Sequence, residues 1–167
     1  AKHRTKKRGL SIVPLKFGIS FTATMLNQGG AQVLVFQDGT VAVSHGGTEM
    51  GQGLNTKMQQ VAADGLGVPV ELVRVTATDT QKVPNASATA ASSGADINGA
   101  AINHACDQLR ERLAPAAALL LDCAAADVRF EGGAAHAQGK QVAWAEVVET
   151  AWLERISLSA TGFYKTP

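Results

Sequence analysis

Charge is what this sequence has least of. Charged residues make up 17% of its 167 residues, where soluble domains usually carry about 25%. The net charge is +1, so no overall imbalance calls for nucleic acid or an anionic membrane. Cysteine is scarce as well. Cys106 and Cys123 are the two thiols, with neither metal-site spacing nor the density of a disulfide scaffold. They read as buried free thiols, which suits a cytoplasmic protein. No signal-peptide core and no apolar run near the length of a membrane span is present. Internal repeats and long linkers are missing too, so residues 1–167 read as a single domain with room for a real core.

Positive charge clusters locally at the start, in Lys2, His3, Arg4, Lys6, Lys7 and Arg8. This run is either a solvated lead-in or an arm for a phosphate ligand. Alanine and glycine are abundant. A free-standing domain of this size would carry more surface charge, so part of the surface is expected to lie under the rest of a longer protein. The chain begins at Ala1 and ends at Tyr164-Lys165-Thr166-Pro167 directly after a strand-like stretch. Neither end is expected to be a natural terminus.

Periodicity predicts an α+β fold: a mixed sheet with a hairpin, and about three helices. Leu10–Val13 and Phe17–Phe21 read as short strands broken at Pro14. Val33–Phe36 and Val41–Val43 flank Asp38-Gly39, a strong hairpin signal because glycine accepts the positive φ of such turns. Leu54, Met58, Val61 and Ala62 recur at helical spacing, and Gly65, Gly67 and Pro69 end that helix. Val73, Val75 and Ala77 alternate with polar residues as in a half-buried strand. Ile97, Ala101, Ala105, Leu109 and Leu113 form one helical stripe, with Pro115 expected to kink or end it. Val128–Phe130 suggests a short strand. Trp144, Val147, Val148, Ala151 and Trp152 mark a third amphipathic helix, with both tryptophans in the core. Ile156–Ala160 is a last strand.

Three stretches carry chemistry. In the first, Gly46-Gly47-Thr48-Glu49-Met50-Gly51-Gln52-Gly53 lies between a strand and a helix. Such glycines let backbone turn tightly and approach a ligand. The helix start offers N–H groups to an anion. Gly46 and Gly51 have P-loop spacing, but Gln52 and Gly53 stand where Lys and Ser or Thr are needed. Thr56 replaces the third glycine of a dinucleotide fingerprint. Both nucleotide motifs are thereby disfavoured, leaving a ligand-approach loop or a plain glycine turn. The second stretch, 84–95, runs Pro-Asn-Ala-Ser-Ala-Thr-Ala-Ala-Ser-Ser-Gly-Ala. Its small side chains could lie against a flat ligand, and Ser92 or Ser93 could cap the next helix. Should the two helix starts come together, they would offer two sets of N–H donors to one phosphate-bearing ligand. In the third stretch, 17–28, Phe21 is either core or a ring facing a flat heteroaromatic substrate, worth about 0.5–1.5 kcal/mol beyond burial.

Other residues promise less. Glu49 reads as a hydrogen-bonding residue at a helix start rather than a base. His45 has no second ligand at metal spacing, and His104 and His136 are isolated. No Ser/His/Asp set stands out.

Taken together and in order, Lys16-Phe17-Gly18-Ile19-Ser20-Phe21, Asp38-Gly39, Ser44-His45-Gly46 through Gly53, Thr89-Ala90-Ala91-Ser92 and Leu158-Ser159-Ala160-Thr161-Gly162-Phe163-Tyr164 resemble one family. It is the molybdenum-binding part of the xanthine dehydrogenases. The resemblance implies a partial molybdopterin-binding domain, an internal segment of a longer chain. It implies a molybdenum–pyranopterin cofactor and hydroxylation of purines with oxygen taken from water. Electrons would leave through iron–sulfur clusters to FAD and NAD, carried by an iron–sulfur/FAD subunit beside the remainder of the molybdenum subunit. By position, Gly51, Gln52 and Gly53 correspond to the family's cofactor-contacting glycine loop, and Ala91 with Ser92 to its second cofactor segment. Phe21 resembles the substrate-stacking ring, with Thr22 and Ala90 beside it. No residue here corresponds to a direct metal ligand. The family's general-base glutamate and cofactor-contacting arginine belong to other segments, so no catalytic residue is expected in this one. Ala23 and Met25 differ from the bulkier residues common in relatives. Aldehyde oxidases share a related plan, and a phosphate-binding module without chemistry is the other alternative.

Overall fold

The computed structural model describes residues 5–83 and 86–167. Its centre is a hairpin of two strands, β1 (Gln28–Val35) and β2 (Val41–His45), paired antiparallel with Val33 opposite Val43. Along β1 burial alternates residue by residue, so Gly29, Ala31, Val33 and Val35 face the interior. The turn forms where Asp38-Gly39 predicts it. Gly39 takes φ 85°, and the Asp38 carboxylate accepts from the Thr40 N–H at 2.9 Å and hydroxyl at 2.7 Å. Two further strands complete the sheet: β3 (Val73–Val75), parallel to β2, and β7 (Ser159–Lys165), antiparallel to β1. The order is β3-β2-β1-β7.

Two helices cover the interior face. α1 (Leu54–Leu66) supplies the crossover from β2 to β3 and buries Leu54, Met58, Ala62 and Leu66. Gly65 lies inside it. It stops at Gly67, whose φ of 70° lies in the left-handed region that favours glycine. α2 (Gly94–Leu121) is 28 residues long and buries the whole stripe from Ile97 to Leu113. Its register against β7 leaves no space beside Gly162, where a Cβ would strike the main chain of Ala101 and Ala105.

Pro115 does not end α2. A helix-interior proline costs about 3 kcal/mol. Here Leu113, Ala116, Ala117 and Leu121 are all buried around it, and that burial carries the helix through.

α3 (Trp144–Leu153) buries Trp144, Val147, Val148 and Ala151. The Trp144 indole donates to Gly39 O at 2.8 Å, pinning α3 to the hairpin turn. Trp152, expected in the core, is 50% exposed. One residue beyond Ala151, it is rotated about 100° off the buried face.

Several expected elements differ. Leu10–Val13 and Phe17–Phe21 are not strands. Leu10 is 94% exposed and Ile12 88% exposed. Alternating apolar residues make a strand only where a neighbouring strand takes their main-chain groups, and among the described residues none does. The expected last strand at Ile156–Ala160 is shifted to Ser159–Lys165, and the one at 73–77 ends at Val75. A second sheet was not expected beyond its first strand. It comprises β4 (Arg129–Glu131), β5 (Ala134–Ala137) and β6 (Lys140–Ala143), with tight turns at Gly132-Gly133 and Gln138-Gly139. Phe130 meets the Trp144 ring edge-on at 6.0 Å.

Cys106 is buried, and desolvation pushes its thiol up to about 12; Cys123 is only partly buried. Among the described residues no helix is long and apolar enough to cross a membrane. Of the basic run, residues 2–4 lie outside the described residues, and Lys6, Lys7 and Arg8 are exposed.

Candidate functional site

The glycine stretch leaves β2 at His45 and enters α1 at Leu54. Its glycines divide into two kinds. A Cβ on Gly46 would collide with Ala86, and one on Gly47 would sit 2.5 Å from Leu54 Cδ2 and 2.9 Å from Asn98 Nδ2. Both positions serve close packing. Gly51 and Gly53 take φ 96° and 73° with open space beyond. They turn the backbone towards solvent at no steric cost.

Side chains of the loop brace that turn from within. Glu49 accepts from Gly51 N at 2.9 Å and Gly53 N at 3.0 Å through one oxygen, and from Asn55 N at 2.9 Å through the other. These N–H groups hold its carboxyl below the usual range. Glu49 therefore has the hydrogen-bonding role expected of it. The start of α1 is correspondingly occupied by the protein's own carboxylate, and the expected pair of open helix N-termini is reduced to one. Gln52 folds back on the loop, accepting from Met50 N at 2.6 Å and donating to Thr48 O at 2.9 Å. An amide has two N–H bonds, so its second remains for a ligand.

Beneath the loop lies His45, 1% exposed. Its Nδ1 accepts from Gly47 N at 3.1 Å, which places the ring proton on Nε2, 3.2 Å from Asn55 Oδ1. Burial lowers its pKa below the ordinary 6.5. It is a neutral ring that ties the glycine turn to α1. Among the described residues no group of three or more His, Cys, Asp and Glu side chains could hold a metal.

The small-residue stretch approaches from the other side. Pro84 and Asn85 lie outside the described residues. The Thr48 N–H donates to the Thr89 hydroxyl at 2.8 Å and joins the two stretches. Ala91 and Ser92 both take positive φ, 53° and 54°. Non-glycine residues there cost about 1–2 kcal/mol each, so the conformation is held by its surroundings. Ser93 is the N-cap of α2 but makes no side-chain cap bond. Its backbone is already near-helical, and its hydroxyl donates instead to Ala90 O at 3.0 Å. The expected serine cap is absent, and the first turn of α2 is left for other acceptors.

Gln52, Ala90, Ala91 and Ser92 line one hollow of about 470 Å³, with Met50 and Lys57 completing its rim. Lys57 gave no signal in the sequence, being one polar residue on a helix. Its charge, the uncapped α2 start and the Gln52 amide form a donor set suited to an anionic ligand. The predicted cofactor residues Gly51 and Gly53 do not line it, and neither do the substrate residues Phe21 and Thr22. The latter pair is joined to the site next door, because Ser20 N donates to Ala91 O at 3.0 Å. Ser20 itself is at φ 88°.

Comparison with known proteins gives these features a family. The family model for the molybdopterin cofactor-binding domain matches residues 1–167. The chain is 48% identical over 167 residues to the xanthine dehydrogenase of Blastobotrys adeninivorans, covering 100% of this chain and 11% of that protein. It is 49% identical over 162 residues to the xanthine dehydrogenase/oxidase of Mus musculus, covering 97% of this chain and 11% of that protein. The chain thus spans about a tenth of the length of these relatives. Among solved structures, quinoline 2-oxidoreductase from Pseudomonas putida 86 superposes with a TM-score of 0.77 at 34% identity. It covers 83% of this chain and 19% of that one. CO dehydrogenase from Oligotropha carboxidovorans, at 22% identity, TM-score 0.75, and 83% and 18% coverage, shares the fold. The chain belongs to the molybdopterin cofactor-binding domain family.

Proposed function

We propose that this domain furnishes one wall of the molybdenum-cofactor and substrate site of a xanthine dehydrogenase. The whole enzyme would oxidise hypoxanthine and xanthine to urate. The observation that carries the reading is that Gln52 and the Ala91-Ser92 pair, far apart in sequence, line the same hollow. The donor set fits a flat, anionic group. Gly51 and Gly53 leave space above the backbone, and Ala90 and Ala91 present no bulk.

Gly51, Gln52, Gly53, Ala91 and Ser92 would hold the molybdenum–pyranopterin, and Phe21, Thr22 and Ala90 would receive the purine. When bound, the cofactor supplies the two-electron oxidation that hydroxylates the ring with oxygen from water. The chain's own part is to bind and orient. Met50 N and Thr48 O fix the Gln52 amide, so its remaining N–H has a set direction. Small residues on both stretches keep the wall flat.

Attack on a ring carbon needs a positioned base as well as the metal. The family resemblance puts that glutamate on another segment, so the domain alone would not turn over. Iron–sulfur clusters, FAD and NAD would sit on other parts of the complex. Free thiols at Cys106 and Cys123 are in keeping with a cytoplasmic setting.

The test uses the full-length protein. Elemental analysis should find molybdenum, and xanthine should give urate faster than an aldehyde gives its acid. Gln52→Ala should reduce molybdenum content by about tenfold, the scale of losing a ligand-supporting contact. Faster aldehyde than purine oxidation would favour an aldehyde oxidase. A full-length protein without molybdenum would sink the reading in favour of a phosphate-ligand module.

A further inference from the structure

Asn27 is buried, 3% exposed, at the head of β1. A buried amide must find partners, and this one spends both ends on a single residue. Its Oδ1 accepts from Phe21 N at 2.8 Å, and its Nδ2 donates to Phe21 O at 2.8 Å. The six-residue loop from Phe21 is thus closed by a side chain that stands in for a neighbouring strand. Asn27 is itself anchored. Its N–H donates to Thr24 O at 2.9 Å, its carbonyl accepts from Thr166 N at 3.0 Å, and the next residue, Gln28, pairs with Lys165 in the sheet. On the other side of Phe21, Ser20 N is bonded to Ala91 O in the wall of the hollow.

The main chain of Phe21 is therefore held from two directions, by the sheet through Asn27 and by the hollow through Ser20. Fixing the peptide groups on both sides fixes the Cα, and the Cα sets where an aromatic ring can lie. Most of the preceding segment lacks such support. Phe17 is 68% exposed and Leu15 85% exposed.

We propose that Asn27 is the positioning residue for the Phe21 ring, holding it for a purine through paired main-chain hydrogen bonds. This rests on the reading of Phe21 as the substrate ring. Asn27 touches neither substrate nor cofactor in this role, so its loss should act on substrate binding and leave the cofactor in place.

The experiment uses full-length, molybdenum-loaded protein with xanthine as probe. Asn27→Ala is expected to raise KM by about two- to tenfold, the scale of a lost aromatic stacking contact, with molybdenum content and kcat little changed. Amide hydrogen exchange in the peptide containing Phe21 should quicken. Phe21→Ala should raise KM alone, and adding Asn27→Ala to it should raise KM little further, because coupled residues are non-additive. Asn27→Asp keeps the volume should the alanine variant not fold. A protonated Asp restores both bonds and an ionised one only the acceptor. Its KM relative to the unsubstituted protein should therefore fall as the pH is lowered. If Phe21→Ala raises KM while the Asn27 variants leave it unchanged, the positioning role is wrong and the substrate-ring reading stands. If Phe21→Ala itself leaves KM unchanged, the substrate-ring reading fails and takes this proposal with it. Loss of molybdenum in both Asn27 variants would also overturn it.

Discussion

The glycine-loop end of the domain and the β4–β6 end are built to different rules. The hollow beside β4–β6 is the larger, about 610 Å³ against 470 Å³, yet ordinary hairpins make it. Its turns use Gly132, Gly133 and Gly139, with Gln138 also at positive φ, 51°, as two-residue hairpin turns require. At the glycine-loop end, Ala91 and Ser92 adopt positive φ without being glycine, and Glu49 and Gln52 use their polar atoms to hold their own loop. Volume alone would choose the β4–β6 end. The positive φ of Gln138 belongs to its hairpin turn, whereas no hairpin asks it of Ala91 and Ser92, so their surroundings must hold them there.

Three substitutions separate the two ends. Trp144→Ala should have the largest effect on stability, about 3–5 kcal/mol for a buried aromatic. It removes the indole bond to Gly39 and the contact with Phe130. Thermal unfolding reads the loss, and molybdenum per folded molecule should not change. Gly47→Ala should cost about 1–3 kcal/mol by overpacking and should also lower molybdenum content, because Leu54 and Asn98 must move. Gly139→Ala is the paired control. Its φ is 78° and nothing lies within 4 Å, so it should cost about 1 kcal/mol in backbone strain and leave molybdenum untouched. Equal molybdenum loss in both variants would erase the distinction between the ends.

His45 makes a pH-dependent comparison. Its folded pKa is lowered from 6.5 by burial, so the unfolded chain takes up the proton first. Its contribution to stability is complete above 6.5 and is lost as the pH falls through the folded value. The unfolding midpoint should decline over that window, and less in His45→Gln. The smallest stability effect belongs to Gln52→Ala, within about 0.5 kcal/mol for an exposed side chain. A large drop in unfolding temperature there would mean that Gln52 is a loop brace first.

Local patterns were legible where neighbours in sequence decide them. The Asp38-Gly39 turn, the α1 repeat from Leu54 to Ala62 and the α2 stripe from Ile97 to Leu113 all form as their spacing predicts. Apolar alternation misled at Leu10–Val13, because the same pattern reads identically with or without a partner strand. The Ala134–Ala137 strand carried no strand-forming side chains and was invisible beforehand. Pro115 was given too much weight, since its local cost is outweighed by burial that no window of sequence displays. At the site, the residue types of both stretches were readable. So was the role of Glu49 at the start of α1, but the contributions of Lys57 and Asn27 were not.

The sequence by itself determined where bulk is absent, where main chain can turn backwards, and which residues repeat at helical spacing, because these depend on steric limits within a few residues. Tertiary structure alone decided that Thr48 reaches Thr89, 41 positions away, and that Gln52 and Ser92 line one hollow. Those outcomes follow from how α1 and α2 lie on the sheet. That arrangement is set by long-range packing, and no short stretch of residues contains it.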